Sequence, residues 1–423
     1  MRFPRHAGAR ERQLDVPQSA RGHLQHVHRR PLAGRAQDEH PHPRRPADFY
    51  AGRHPRGGGA HRAGAQQCGD QARQPPEAGQ ESRPSQAVNR PLRVSVAALA
   101  LVAVGLRAQP FYLPTPNRDI FQSGGETRYF VGTVGKPWSS GTFGCVRTDG
   151  QQLHEGWDIR ATTRDKQGEA TDTVTAAADG VVAYVNAKPA LSNFGRFVIL
   201  RHRVDGLEVY STYAHLARLR SGLAPGLAVK AGEPLGVLGR SANTAQGISK
   251  DRAHLHFELG LRISDHFTAW QKANFPGQRN DHGEFNGRNF IAVDPFPVFR
   301  EQMRLRERFN LVRLLQAQTA LCRVQVRDTN FAWLRRYPQF VVTGTRATRE
   351  GVAGYEIWLN YHGLPFKLVP LAPSELKGQS RYHLVEVNAA EQQARPCGKL
   401  VARSGGGWRL TATGERFLSL LTQ

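Results

Sequence analysis

Short apolar runs bounded by glycine dominate residues 151–262. Apolar and polar positions alternate in several of them, and Val, Ile, Phe and Tyr are frequent, a pattern typical of half-buried strands. We therefore predict an antiparallel, all-β domain. The runs are GVVAYVNA (180–187), RFVILRH (196–202), LEVYSTYAHL (207–216), PLGVLG (234–239) and AHLHFELGLR (253–262).

The pattern changes after residue 262. Residues 263–300 are polar and glycine-rich before the apolar FIAVDPFPVF, so we expect a long excursion that returns to close the domain. Helical spacing of Leu305, Phe309, Val312 and Leu315 then predicts a connecting helix over residues 301–322. Strand-like runs return in residues 323–423, which we expect to form a smaller α+β or β-rich C-terminal domain. The predicted fold class is mainly β.

The N-terminal part is different in kind. Residues 109–150 are rich in Pro, Gly and aromatic residues and are expected to form a loop-rich lead-in. Before them, residues 94–106 form a 13-residue apolar run preceded by Arg90 and Arg93. This length suits a secretory signal peptide, for which we assign residues 88–108 with cleavage after Gly105 or Ala108, and is short of the roughly 20 residues that span a bilayer. The alternative is a buried core segment.

Residues 1–90 contain 16 arginines, no lysine, eight of the 17 histidines and almost no apolar run. Such a segment cannot build a core. We therefore expect residues 1–87 to be disordered or to be translated upstream of the natural start, which we place near Val88.

The net positive charge indicates an anionic partner but does not identify its class. The formal net charge is +23, and 40 basic against 27 acidic residues from Gln109 onward leave +13. Nucleic acid, membrane surface and anionic cell-wall polymer would all suit such a chain. Outside the N-terminal segment the cysteines are Cys145, Cys322 and Cys397. We favour a Cys322–Cys397 disulfide, since both residues lie in the C-terminal segment, with Cys145 left unpaired.

Histidines mark the chemistry. In HEGWD, His154 and Asp158 lie four positions apart around Gly156, a spacing at which a tight turn brings an imidazole and a carboxylate to one ion. The strand HLHFEL places His254 and His256 on one face, about 6.6 Å apart at 3.3 Å per residue. Glu258 shares that face, and the apolar residues between these positions supply the core face.

A third element, TYAHL, ends another predicted strand. Alternation puts Tyr213 and His215 on one face there. Each element alone could be a solvated surface. Together they supply five candidate ligands, two more than a catalytic zinc needs, because such a zinc takes three protein ligands and one water.

In this combination the sequence resembles the lysostaphin-like zinc endopeptidases, which include the LytM-type cell-wall hydrolases. The similarity runs from HEGWDI through TAAADGVVAYV, FGRFVILRH, YSTYAHL and VKAGEPLGVLGRS to AHLHFEL, about residues 130–262, with VDPFPVF near 293. Two departures are the loop NTAQGISKDRA and the insertion at 263–290, both expected near the groove.

The resemblance implies a duplicated-hybrid-motif β-sheet domain with a groove, a zinc metallopeptidase domain over residues 130–300. It implies that His154, Asp158 and His256 bind one zinc ion, while His215 and His254 face the bound water and the substrate as catalytic residues. Tyr213 and Gly156 are assigned to the substrate groove. Which of the two catalytic histidines is the general base stays open.

The expected function is hydrolysis of peptidoglycan cross-links by an exported enzyme of the periplasm, cell envelope or extracellular space. We expect no nucleic-acid partner and no transmembrane anchor after signal cleavage. One alternative is a catalytically idle wall-binding protein that activates another hydrolase, although all five polar positions are present. A biotinyl or lipoyl carrier domain would leave the histidines unexplained. The bond that is cut stays open.

Overall fold

The computed structural model describes residues 110–244 and 247–423. The expected upstream segment 1–87 and signal peptide 88–108 lie outside the described residues. The strands before residue 300 are β1 (Gly144–Arg147), β2 (Gln152–His154), β3 (Trp157–Arg160), β4 (Thr173–Thr175), β5 (Gly180–Asn186), β6 (Phe197–Val204), β7 (Leu207–Ala214), β8 (Arg218–Leu219), β9 (Ala228–Val229), β10 (Pro234–Val237), β11 (His254–Arg262) and β12 (Phe290–Val293).

The remaining strands belong to the C-terminal part: β13 (Cys322–Val326), β14 (Gly354–Leu359), β15 (Pro365–Leu371), β16 (Tyr382–Val387), β17 (Val401–Ser404) and β18 (Gly407–Leu410). The α-helices are α1 (Glu126–Tyr129), α2 (Phe267–Asn274), α3 (Pro295–Leu305), α4 (Leu311–Gln316), α5 (Ala332–Arg336), α6 (Ala347–Glu350), α7 (Ala389–Ala394) and α8 (Ala412–Leu421). Within the described ranges, no helix combines the length and the apolar character needed to cross a bilayer.

The main sheet has seven strands. Its order is β12-β11-β7-β6-β5-β9, with β3 also paired to β11. On one edge of β11 the first half pairs with β3 and the second half with β12, while β7 occupies the other edge. A smaller sheet has the order β4-β10-β8, and β1 pairs with β2 as a hairpin. The strand pairs are antiparallel, which confirms the predicted mainly β fold class.

Strand β11 separates the core from the site. Leu255, Phe257 and Leu259 on one face are at most 1% exposed and belong to the hydrophobic core. His254 and His256 fall on the other face because neighbouring residues of a strand point to opposite sides. The alternation predicted for HLHFEL is therefore confirmed.

The lead-in from residue 110 packs as part of the same domain. The backbone of Phe111 exchanges two hydrogen bonds with the buried side chain of Gln302, at 2.8 and 2.7 Å. Tyr129 packs edge-to-face against Trp157, with ring centroids 5.5 Å apart. Because Trp157 lies on β3, this contact supports the strand that carries Asp158.

The connecting segment contains two helices where one was predicted over residues 301–322. Helix α3 ends at Leu305, and Arg306 has a positive φ of 50°. Helix α4 then begins after Asn310, whose side chain accepts a hydrogen bond from the backbone of Arg313. An asparagine N-cap starts a new helix, so the apolar spacing continues across a break in the helix.

The C-terminal strands form a sheet of order β15-β14-β13-β16 and a β17-β18 hairpin, in agreement with the predicted smaller α+β region. This region shares one hydrophobic core with the main sheet. The hydroxyl of Tyr337 accepts a hydrogen bond from the backbone N–H of Arg262 at 2.8 Å. Arg336 also pairs with Asp265 and with Glu208 on β7. The two parts are therefore joined by polar as well as apolar contacts.

The disulfide prediction was wrong. Cys145 on β1 is bonded to Cys397, in the 3-10 turn Pro396–Gly398 that contacts the β1–β2 hairpin. Cys322 is the free thiol, because it lies on β13 between β14 and β16 and only 2% of it is exposed. Burial raises the pKa of the Cys322 thiol to about 12, so it stays protonated and unreactive.

Reduction of the Cys145–Cys397 bond is expected to lower the free energy of unfolding by about 2–5 kcal/mol, because the bond restricts the unfolded chain. It links residues separated by 252 positions in the sequence. Denaturant unfolding with and without reductant measures the effect. The double variant Cys145→Ser/Cys397→Ser is the control: it should start at the lower stability and not respond to reductant. An equal response in that variant would contradict this account.

Candidate metal centre and active site

Three segments of the fold bring the predicted ligands together. His154 is the last residue of β2, Asp158 lies on β3, and His256 lies on β11 directly opposite Asp158. The turn between β2 and β3 presses against β11, since a Cβ atom on Gly156 would be 2.4 Å from the carbonyl oxygen of Phe257. Only glycine allows this approach. Gly156 was predicted to line the substrate groove. It is buried instead, and its role is to position the turn.

The ligand atoms of these residues converge on one point. His154 Nε2 lies 3.2 Å from both Asp158 Oδ1 and His256 Nδ1, and the latter two atoms are 3.0 Å apart. All three side chains are buried. In the described part of the chain, they form the group of His, Cys, Asp or Glu side chains placed to share a metal ion.

Each predicted ligand also has a second polar side-chain atom that points away from the centre, and each of these atoms contacts a further residue. Partners of this kind fix the tautomer and orientation of a metal ligand. They are the Thr142 carbonyl oxygen with His154 Nδ1 (2.7 Å), Arg147 Nη2 with Asp158 Oδ2 (2.5 Å) and Glu258 Oε1 with His256 Nε2 (2.8 Å).

Neither Thr142 nor Arg147 was predicted from the sequence. Both precede the HEGWD motif, and only the β1–β2 hairpin brings them to it. Glu258 was placed on the correct face of its strand without a role. The two-residue spacing between His256 and Glu258 could have predicted this role. A carboxylate beside a ligating histidine on the same strand face can accept a hydrogen bond from the ring N–H that does not face the metal.

His215 and His254 lie beside the three ligands. Their ring centroids are 4.9 Å apart, and His254 Nε2 is 3.5 Å from Asp158 Oδ1. Nδ1 of His215 contacts the carbonyl oxygen of Ser241 at 2.9 Å, and Nδ1 of His254 contacts that of Arg252 at 2.7 Å. A carbonyl oxygen only accepts, so Nδ1 carries the proton in both neutral rings. Nε2 is then the basic atom of each ring.

The prediction that Tyr213 lines the substrate groove was wrong. Tyr213 is fully buried opposite Phe257 on the core side, and its hydroxyl accepts a hydrogen bond from the backbone of Ala177 at 2.7 Å. Strand β7 ends at Ala214, and His215 has a positive φ of 63°. The period-two alternation therefore stops between Tyr213 and His215, which places them on different sides.

The charges at the centre favour a cation. Burial opposes ionisation of Asp158, yet the ring of His154 and hydrogen bonds from His154 and His256 hold the pKa of its carboxyl well below the ordinary value. Burial also disfavours a charged His256, but its hydrogen bonds to Asp158 and Glu258 raise the pKa of that ring to about 10. A positive charge is thus stabilised between these carboxylates.

The two neighbouring histidines behave in the opposite way. Burial lowers the pKa of His215 to about 3, and the rings of His254 and His256 add to this effect. Burial likewise lowers the pKa of His254. Both rings are therefore neutral at physiological pH and can accept a proton.

The three ligands fit zinc. Two imidazole nitrogens and a carboxylate oxygen are a usual donor set for a catalytic zinc ion. Ligand distances of about 2.0–2.1 Å put the corners of a tetrahedral zinc site roughly 3.3 Å apart. The separations of 3.0 and 3.2 Å between the ligand atoms are close to this value.

A groove of about 620 Å³ adjoins the centre on the same face of the main sheet. Phe194 at its edge stacks on His256, with ring centroids 5.2 Å apart. The insertion at 263–290 and the loop after β10 both reach the groove, as expected for the two departures from the family pattern. Polar residues that line it include Glu155, Thr212, Asn243, Glu258, Arg279, Asp281 and Arg288.

Comparison with known proteins places the similarity on this part of the chain. Residues 152–266 match Peptidase family M23. The chain is 27% identical to a putative glycyl-glycine endopeptidase lytM from Ruminococcus gnavus, over 36% of this chain and 47% of that protein, with a TM-score of 0.24. It therefore spans about half the length of that structure. No curated protein sequence matches the chain.

Two further solved structures are similar. The lysostaphin catalytic domain from Staphylococcus simulans is 19% identical over 38% of this chain and 87% of that one, with a TM-score of 0.22. A zinc-containing peptidase from Vibrio cholerae is 24% identical over 25% of this chain and 26% of that one, with a TM-score of 0.18. With its family match at residues 152–266, the chain carries a domain of Peptidase family M23, the LytM-type peptidases.

Proposed function

We propose that this chain is a zinc-dependent endopeptidase that hydrolyses peptide cross-links of bacterial peptidoglycan. The observation that carries the proposal is the convergence of His154, Asp158 and His256, each with its outer atom held by a partner. Gathering polar groups in a buried site lowers the stability of the fold unless the groups are paired or bind a metal ion. The family of residues 152–266 supports a peptidase.

His154, Asp158 and His256 would hold the zinc ion. When bound, zinc would polarise the scissile carbonyl and lower the pKa of a water molecule towards 7. His215 and His254 supply the proton chemistry of the chain itself. Each is neutral, and each has Nδ1–H fixed on a backbone carbonyl, which leaves Nε2 ready to accept a proton from attacking water. Once protonated, that nitrogen can donate to the developing oxyanion or the leaving amine. We assign these roles to the pair jointly.

The groove supports a peptide with charged groups as substrate. Its lining combines carboxylates with the guanidinium groups of Arg279 and Arg288. Peptidoglycan peptides carry free carboxylates, and the net charge of +13 after residue 108 would attract them. We infer that the enzyme acts outside the cytoplasm, in the periplasm, cell envelope or extracellular space. The apolar run at 94–106 supports export.

Digestion of purified peptidoglycan tests the proposed function. The zinc-loaded full chain should release soluble fragments with new peptide amino and carboxyl ends, and mass spectrometry of these fragments identifies the bond. The His254→Ala variant, prepared in the same way, should release these fragments about 10²–10⁴-fold more slowly, because it lacks one of the two bases. Intact peptidoglycan after incubation with the zinc-loaded protein would reject the substrate. Equal digestion by the variant would reject the site.

Replacing Glu258 by glutamine is expected to weaken zinc binding by about 10–100-fold, the usual effect of losing an outer partner of a ligating histidine. The Glu258 carboxylate lies 2.8 Å from His256 Nε2 and makes that ring a stronger donor to the metal. Competition with a chromogenic chelator measures the affinity. Glu233→Gln is the matched control, because Glu233 pairs with Arg220 outside the site. Equal zinc affinities of the two variants would contradict the assigned role.

A further inference from the structure

A second cavity lies apart from the metal centre. It has a volume of about 380 Å³ and is bordered by the β1–β2 hairpin, the start of α3, the end of α4, the loop after β14 and the end of α7. None of its lining residues belongs to the three ligands or to the two neighbouring histidines. An inference about this cavity therefore does not depend on the proposed peptidase function. The lining residues used below are Phe143, Asp294, Leu315, His362, Leu364 and Arg395.

The hydrogen-bond network determines the tautomer of His362. The side-chain oxygen of Asn360 accepts from the backbone N–H groups of His362 and Leu364, at 3.2 and 2.8 Å. The other end of the Asn360 side chain is therefore its NH₂ group, and this group lies 3.0 Å from His362 Nε2. Since an amide NH₂ only donates, Nε2 accepts and the ring proton resides on Nδ1.

That Nδ1–H group is buried and has no hydrogen-bond partner among the described residues. His362 is 8% exposed, and burial lowers its pKa to about 3, so the ring is neutral. A buried donor without an acceptor is unfavourable. An oxygen atom of a molecule in the cavity would satisfy it.

Two groups of opposite charge line the same cavity. Arg395 hydrogen-bonds Glu391 at 2.6 Å and lies over the ring of Tyr361 at 5.0 Å. Asp294 uses one oxygen to accept from the backbone of Phe296 at the start of α3. It has no ion-pair partner among the residues that the structure describes, and burial raises its pKa to about 6. Phe143, Leu315 and Leu364 supply apolar walls between these charges.

We propose that this cavity binds a small zwitterion, a free amino acid or a dipeptide. Its carboxylate would accept from His362 Nδ1 and pair with Arg395, and its ammonium group would pair with Asp294. The apolar walls would receive small side chains. The volume of the cavity admits a molecule of this size.

Calorimetric titration of the full chain with alanyl-alanine, in its L,L and D,D forms, tests the proposal. One form or both should bind saturably at one site per chain. N-acetyl-alanyl-alanine lacks the ammonium group and alanyl-alanine amide lacks the carboxylate, and each should bind roughly tenfold more weakly or worse, as expected for losing a charged hydrogen bond. Absence of saturable binding at millimolar dipeptide, or equal binding of either blocked form, would overturn the proposal.

Three variants locate the site. Asp294→Asn keeps a residue that caps α3 but removes the charge, and Arg395→Gln changes an exposed side chain that should not affect folding. Both should weaken binding about tenfold, as should His362→Phe, whose matched control is His383→Phe outside the cavity. His256→Ala should bind the dipeptide normally, because it alters only the metal centre. Loss of binding in His256→Ala, or unchanged binding in Asp294→Asn and Arg395→Gln, would overturn the assignment.

Discussion

Purified His256→Ala protein is expected to contain no bound zinc and to have no measurable peptidase activity. The substitution removes one of the three proposed ligands, whose donor atoms lie 3.0–3.2 Å apart, and a site with two protein ligands cannot hold a catalytic zinc ion firmly. It also leaves the carboxylates of Asp158 and Glu258 without the ring that lies between them. Plasma mass spectrometry after dialysis against chelator-free buffer measures the metal content.

The control for this variant is His383→Ala, which removes a histidine from β16 in the C-terminal sheet. It should retain one zinc ion per chain and full activity. Circular dichroism of both variants checks that they are folded. One zinc ion per chain in folded His256→Ala would show that the ligand set is misassigned.

His215→Ala and His254→Ala should have the opposite profile: zinc is retained, and turnover falls by about 10²–10⁴-fold, the usual contribution of a general acid or base. Both rings lie beside the ligands, and each presents Nε2 as its basic atom. Measuring metal content and the rate of peptidoglycan digestion on the same samples separates this result from loss of zinc.

The double variant His215→Ala/His254→Ala sharpens the test. If the two histidines work as a unit, the double variant should lose little more activity than the more damaged single variant, because effects within one catalytic unit are not additive. Multiplied losses would assign the histidines to independent steps. Full activity in either single variant would remove that residue from the mechanism.

The alternation in HLHFEL predicted the site face of β11 because strand geometry is local and repetitive. The same rule failed at Tyr213, since the left-handed backbone at His215 ends the repeat. Nothing in the order of residues in TYAHL marks that change. The ligand set was predicted from the family resemblance. The match of residues 152–266 to Peptidase family M23 confirms the resemblance itself.

Contacts between distant segments were beyond sequence reasoning. Arg147 reaches Asp158 because the β1–β2 hairpin folds back beside β3, and Cys145 reaches Cys397 because the same hairpin packs on the C-terminal region. The prediction of a Cys322–Cys397 bond relied on proximity along the chain, which says little about proximity across a core. Cys322 on β13 is buried in the core and packs there as a free thiol.

The Cys145–Cys397 bond has a practical consequence for anyone who shortens the protein. A fragment that ends near residue 300 would keep the proposed zinc ligands but lose Cys397. It would therefore carry an unpaired thiol two positions from Arg147, on the hairpin that leads to His154. Fragments of this kind could dimerise through Cys145 under oxidising conditions. Production in a reducing host would likewise yield a protein without this link, so the oxidation state should be checked before activities are compared.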